Sequence, residues 1–284
     1  MIRSLPKSKT YTFSFKLYVV FYFIFLFAPL LVTCVLAFNN SQFPSLPWNG
    51  FTLEWFTADL PERVGIFNDQ INLDSIWVSA QVAFFVTLLS VVVGTCAAFL
   101  FEQEDFRLKS LLYFLMISPL VIPGVILGIS ILMFSNTLGT FFEMQWNLDV
   151  GLFRPGFWLV VLGQFSFITT LVALVVSARL KKFDPTLEEA ALNLGANRFS
   201  VIWHITLKFL RPAIVGAGAL AFLMSFENFN TTLFLVGSEA TLPINLYLQV
   251  RDGSTPVINA ISFLLIVGTS LAAFIQLYFS KKED

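Results

Sequence analysis

The chain has 284 residues, of which 57% are hydrophobic and 12% charged, with 34 phenylalanines. Soluble globular domains carry about 25% charged residues, so this composition excludes an ordinary soluble domain and points to an integral membrane protein. A net charge of -1 excludes little, but the lone histidine, His204, excludes multi-histidine metal chemistry, and there is no glycine-rich phosphate loop, HExxH or GxSxG stretch.

A membrane-crossing helix needs about 20 largely apolar residues to cover about 30 Å of hydrocarbon. Six stretches qualify, at about 17–38, 76–101, 110–134, 156–180, 212–235 and 256–280. Each is expected to be an α-helix, because hydrocarbon offers no partner to an open backbone group. The roughly 10-residue alternation of a membrane β-barrel is missing. The first stretch follows a basic flank (Arg3, Lys7, Lys9, Lys16). It exceeds the roughly 7–15 apolar residues of a secretory signal and reads as an uncleaved span. Next comes a long loop, 39–75, in which 51–56 could lie as a short amphipathic helix on the membrane surface. Cys34 and Cys96 fall inside apolar runs and read as small buried hydrophobes. In the third stretch Pro119 and Pro123-Gly124 each weaken the backbone ladder and allow a bend.

Between the fourth and fifth stretches lies a polar, basic segment, 181–211. Asp184-Pro185-Thr186 opens a helix over 187–194, with Asp or Thr as cap and a capping box between Thr186 and Glu189. Gly195 is placed to end that helix with a left-handed residue. A helix of about two turns is marginal alone, which suits a docking element. Ala190 and Ala191 permit close approach, Leu187, Leu192 and Leu194 supply apolar contact, and the pattern fits helix-in-groove recognition. A second helix carries Phe199, Ile202, Trp203, Thr206 and Leu210 at helical spacing, and Pro212 is expected to open the next span.

Glu227 is the single acid expected inside a span. A charge there costs about 2.5–3.5 kcal/mol even on lenient insertion scales. It therefore calls for a polar pathway, a partner or a proton. Its neighbours Phe226, Asn228 and Asn230 add aromatic and amide groups, a set that suits an ammonium substrate by charge pairing and cation–π attraction. The alternatives are a structural hydrogen bond to a neighbouring helix, or an interfacial position if the fifth stretch starts later.

Lysine and arginine set the topology. Fourteen of the 17 lie in the N-terminus, after the second stretch, in 179–211 and at the C-terminus, leaving Arg63, Arg154 and Arg251 on the other side. The positive-inside rule then places both termini and the Glu189 region in the cytoplasm. Trp48, Trp55, Trp77, Trp146 and Trp158 fall near the outer boundary, as interfacial aromatics do. Nine acids (Glu54, Asp59, Glu62, Asp69, Asp74, Glu143, Asp149, Glu239, Asp252) also fall outside. They read as a solvated surface, or as an acidic funnel for a cationic substrate.

Glu189-Ala190-Ala191, then Gly195, then Ile205 and Leu207 resemble the "EAA" loop of type I ABC-importer permeases. Lys208 departs from the pattern, where that family usually has proline. The resemblance covers the whole chain. It implies an all-α integral membrane protein, one permease domain over 1–284 with six transmembrane helices and a cytoplasmic coupling helix between spans 4 and 5. It also implies a multi-pass protein of the bacterial inner membrane that is not an enzyme. Its expected partners are an ABC ATPase dimer, a second and different permease chain, an extracytoplasmic binding protein, lipid and a small-molecule substrate, with no nucleic acid. ATP would be bound by the ATPase subunits, leaving this chain without cofactor, metal or catalytic residue. Glu189, Ala190, Ala191, Gly195, Leu187 and Leu192 would couple to the ATPase, and Glu227, Phe226, Asn228 and Asn230 would line the pathway. The stretches 37–41, 119–128 and 225–237 are most similar to the spermidine/putrescine, PotC-like branch, in which an acid follows the Ser-Phe pair. Branches for iron, thiamine or opines share much of the pattern. An ion-driven secondary transporter or an uncoupled channel subunit are the rivals from outside the family.

Overall fold

Ser8 starts the first helix, its hydroxyl accepting from the Tyr11 amide at 3.1 Å. The computed structural model describes residues 8–60, 63–253 and 255–280, without the side chains of 272, 273 and 275–280. Arg3, Lys7, Glu62, Lys281 and Lys282 lie outside the described residues. Contacts divide the chain into one unit of Met1–Leu73 with Leu248–Asp284 and another of Asp74–Tyr247.

In the first unit, α1 (Lys9–Leu36) packs against α12 (Val257–Ser280). The loop after α1 is organised by Asn39, whose amide donates to the carbonyls of Ser45 and Pro47, both at 3.1 Å, and accepts from the Asn49 N–H at 2.8 Å. The expected surface helix over 51–56 is only a single turn, α2 (Glu54–Thr57). Trp55 and Phe56 are buried rather than laid on a membrane surface: Trp55 Nε1 donates to the Asn39 carbonyl at 2.8 Å, and Phe56 packs in an aromatic group with Phe38 and Phe263. Trp55 therefore differs from the interfacial tryptophan that the sequence suggested, because the loop supplies its indole with an acceptor. A small antiparallel pair, β1 (Asp59–Leu60) with β2 (Arg63–Val64), follows.

The second unit is built around α6 (Phe157–Leu180), twelve of whose 24 residues are buried. Val160, Val161, Ile168, Val172 and Val176 meet Val82 and Val86 of α3 (Gln70–Gln103), and Leu210, Ala217 and Ala221 of α9 (Leu207–Phe226). Small residues let these helices close up: a Cβ at Gly94 would come within 2.9 Å of Val172. Thr169 of α6 donates to Ser90 of α3 at 3.2 Å, a cross-helix hydrogen bond of the kind apolar bundles use.

Two expected spans are interrupted. The stretch 110–134 is α4 (Lys109–Val121) and α5 (Gly124–Trp146), separated at Ile122-Pro123. Ile122 is extended, with ψ 129°, as a residue before proline prefers. Pro119 is carried inside α4. The stretch 212–235 is the end of α9 and α10 (Thr232–Leu235), with Glu227 to Thr231 between them. Pro212 does not open that span. It lies inside α9, and the apolar helix is continuous over Arg198–Phe226. A further helix, α11 (Leu242–Gly253), was not expected. Among the described residues five helices are individually long and apolar enough to cross a membrane, with Lys109–Val121 and Val257–Leu271 as shorter apolar helices.

Cys34 is half-buried and Cys96 exposed, both free, so neither is the fully buried hydrophobe expected. An apolar helix face in a membrane protein need not be covered by its own chain.

Candidate functional site

Two places in the second unit gather the residues that the sequence singled out. The first is the loop between α6 and α9. Asp184 begins it: its carboxylate accepts from the Thr186 hydroxyl at 2.8 Å and the Thr186 N–H at 3.0 Å. These two bonds, the hydroxyl's first, hold the Asp184 carboxyl below its ordinary pKa. α7 then spans Thr186–Asn193. The capping box is not formed: the Thr186 N–H, from which the Glu189 side chain would accept, goes to Asp184, and the Glu189 amide donates to the Pro185 carbonyl at 3.2 Å rather than to the Thr186 hydroxyl. Gly195 has φ +88°. The Ala196 amide reaches back to the Ala191 carbonyl at 3.1 Å and the Gly195 amide to Leu192 at 2.9 Å, which closes the helix in a Schellman motif. Asn197 caps the next helix, α8 (Arg198–Val201), by accepting from the Ser200 N–H at 2.7 Å. A π-helical turn, Ile202–Thr206, joins α8 to α9.

The faces of α7 are unequal. Leu187, Glu189, Ala190 and Leu192 are exposed, as is Gly195, whereas Glu188 and Ala191 are half-buried against α8 and the π turn. Of the six residues expected to couple, five are therefore available to a partner, and Ala191 is the close-packing residue of the helix's own seat. Leu194 and the stacked pair Phe199 and Trp203 extend the exposed apolar surface.

The second place is the break after α9. Glu227 is the helix C-cap, exposed, with no ion-pair partner among the described residues. A carboxylate at that end meets the negative pole of the helix dipole. Phe226 and Asn228 are half-buried and Asn230 is exposed. Asn228 holds the break: its side-chain oxygen accepts from the Thr232 hydroxyl at 3.0 Å and the Thr232 N–H at 3.3 Å. Behind it lies fully buried Gln164 of α6, whose amide donates to Thr232 at 2.8 Å and accepts from Ser225. On the other side the break rests on glycines of α5. A Cβ at Gly128 would stand 2.7 Å from the Thr231 carbonyl, and one at Gly124 3.0 Å from Asn230. Aromatic pairs flank it, Phe222 with Phe226 at 6.1 Å and Phe229 with Tyr247 at 5.1 Å.

Gln164 and Asn197 were not singled out by sequence, and the partners that Ser225, Thr232, Glu188 and Thr206 take here were not foreseen. Gln164 carried a readable signal, an amide in the middle of an apolar span. Among the described residues no three His, Cys, Asp or Glu side chains gather as a metal site.

Comparison with known proteins gives this arrangement its family. Residues 90–283 match the model of the binding-protein-dependent transport system inner membrane component. The chain is 31% identical to the Escherichia coli putrescine transport system permease protein PotI, over 92% of this chain and 89% of that protein. It is 27% identical to the Escherichia coli spermidine/putrescine transport system permease protein PotC, over 86% and 84%. A molybdenum transport system permease, ModB of Mycobacterium bovis, is 31% identical over 75% of this chain and 82% of its own. In fold, the chain resembles a bacterial ABC transporter involved in the import of the acidic polysaccharide alginate, with a TM-score of 0.76 at 16% identity over 95% of each chain. The chain belongs to the binding-protein-dependent inner membrane component family and is a multi-pass permease subunit of an ABC importer, not an enzyme.

Proposed function

We propose that the solute is a polyamine, putrescine or spermidine, moved from the outer face to the cytoplasm. Family membership alone does not choose it, since relatives of similar identity are named for putrescine and for molybdenum. The observation that carries the choice is Glu227: an exposed carboxylate at the negative end of α9, beside a break and between two aromatic pairs. A cation offsets both the charge and the helix pole, and ring faces attract ammonium groups. Phe226 and Asn230 complete the contact set, while Asn228 serves it by holding the break.

In this reading two ATPase subunits bind ATP, and this chain binds none. The ATPase dimer receives the exposed face of α7, with Leu187, Glu189, Ala190 and Leu192 in contact, Ala191 seating the helix and Gly195 turning the chain away. A second, different permease completes the pathway, and an extracytoplasmic protein delivers the solute. Both termini lie in the cytoplasm, on the side carrying most of the lysines and arginines.

The test is uptake of radiolabelled putrescine and spermidine into proteoliposomes that hold this chain with its partner subunits, with and without internal ATP. ATP-dependent uptake of a polyamine is expected, and Glu227→Gln should lower it about tenfold or more by removing a charged partner, with ATPase capture unchanged. Polyamine uptake that Glu227→Gln leaves untouched overturns the assignment of the residue. ATP turnover stimulated by another solute overturns the substrate.

A further inference from the structure

Adjacent glutamates on α7 face different surroundings. Glu189 is exposed, on the side offered to a partner. Glu188 is half-buried, and its carboxylate accepts a hydrogen bond from the hydroxyl of Thr206, which is fully buried. Thr206 is the last residue of the π turn and stands immediately before α9. Among the described residues this is the one side-chain hydrogen bond that ties α7 to the helical run leading to Glu227. The other fastenings of α7 are local: Asp184 at its start and the Gly195 turn at its end.

We propose that Glu188 is a positioning residue, which through Thr206 keeps α7 in register with the foot of α9. This rests on α7 being the ATPase-docking helix. A helix of two turns has little rigidity of its own. Pushed on its exposed face, it would roll about its axis unless its inner face were pinned. Ala191, one turn from Glu188, gives the inner face close packing but no direction. The Glu188 carboxylate bound to a buried hydroxyl gives it one. The π turn matters for the same reason: its extra residue resets the phase between α8 and α9 and ends on the hydroxyl that Glu188 needs, in keeping with the frequent placement of such turns at functional sites.

Two measurements on the assembled transporter test this. Hydrogen–deuterium exchange over 189–194 should become about tenfold faster in Glu188→Ala and Thr206→Val, as expected for loss of a hydrogen bond to a charged group. Glu188→Gln and Thr206→Ser keep an acceptor and a donor and should stay near wild type. In proteoliposomes the first pair should raise the ATP hydrolysed per solute carried by about threefold, a modest coupling loss, with the ATPase still bound. The second pair should restore the ratio. Unchanged exchange in both Glu188→Ala and Thr206→Val overturns the strut. So does loss of ATPase binding in Glu188→Ala equal to that in Glu189→Ala, which would make Glu188 a contact residue. Faster exchange with an unchanged ratio overturns its part in coupling. If the wild-type assembly carries neither polyamine, the substrate reading falls alone, because the exchange result does not depend on the solute.

Discussion

α1 and α6 are both apolar enough to cross a membrane, yet no residue of α1 is buried and half of α6 is. Hydropathy does not separate them. What separates them is small and polar residues. α6 carries Gly163, Gln164 and Thr170, and Thr170 donates to the Met116 carbonyl of α4 at 2.5 Å. α1 carries aromatic rings along its length, stacked on one another (Tyr11 with Phe15, Phe23 with Phe27) rather than on a core. In hydrocarbon, association needs close packing and hydrogen bonds more than apolar area. Apolarity therefore marks a span, and the interruptions of apolarity mark its neighbours.

The sharpest way to break the contrast is truncation. Ile168 of α6 is fully buried and Leu31 of α1 is 62% exposed. Ile168→Ala should cost about 2–5 kcal/mol through the cavity it leaves, whereas Leu31→Ala should stay within about 0.5 kcal/mol. Thermal unfolding of the purified chain in detergent measures both, and equal shifts would mean that α6 is not the centre of the unit. The next effect is overpacking at the break. Gly128→Ala drives a Cβ to 2.7 Å from the Thr231 backbone, which should cost about 1–3 kcal/mol and lower uptake more than Gly216→Ala, where no atom lies within 4 Å. A smaller loss is expected from Gln164→Leu, which keeps volume but strands the Ser225 hydroxyl and takes one of two partners from the Thr232 hydroxyl, which keeps Asn228. About 1–2 kcal/mol is the scale for such orphaned groups, and Ser225→Ala in the same chain should recover part of it.

What the sequence made legible follows the same division. Long apolar runs announced α1, α3, α6 and α12, and capping chemistry announced α7, down to the left-handed Gly195. Proline and polar residues inside apolar runs were harder. The pattern 110–134 reads as one helix unless the extended preference of Ile122 before Pro123 is given priority over hydropathy. The break at Glu227 depends on partners remote in sequence, Gln164 and Gly128, which no local rule supplies. α11 has mixed polarity and so lacks the continuous apolar signal. At the candidate sites, residue types were readable but faces were not: Glu188 and Glu189 look alike in sequence, and only the packing of α7 assigns one inward and the other outward.

The smallest effect lies in the cap of α7, the polar counterpart of the packing that fixes α6. Asp184 is held below its ordinary pKa of 3.8, first by the Thr186 hydroxyl and then by the Thr186 N–H. A carboxylate with a lowered folded-state pKa stabilises the fold above its unfolded value, and the contribution is lost as pH falls through the folded one. Helix α7 should therefore hold its cap at every pH above 3.8 and loosen only below it. Two variants sharpen the point. Thr186→Ala removes the stronger donor and leaves the amide, so the Asp184 pKa should rise part of the way back toward 3.8. Asp184→Asn keeps a cap oxygen but cannot titrate, so the acid-linked loosening should vanish while the helix remains. Carboxyl titration by NMR in detergent reads both outcomes. A Thr186→Ala titration identical to wild type would show that the hydroxyl does not hold the carboxylate, leaving the backbone amide as the whole of the cap.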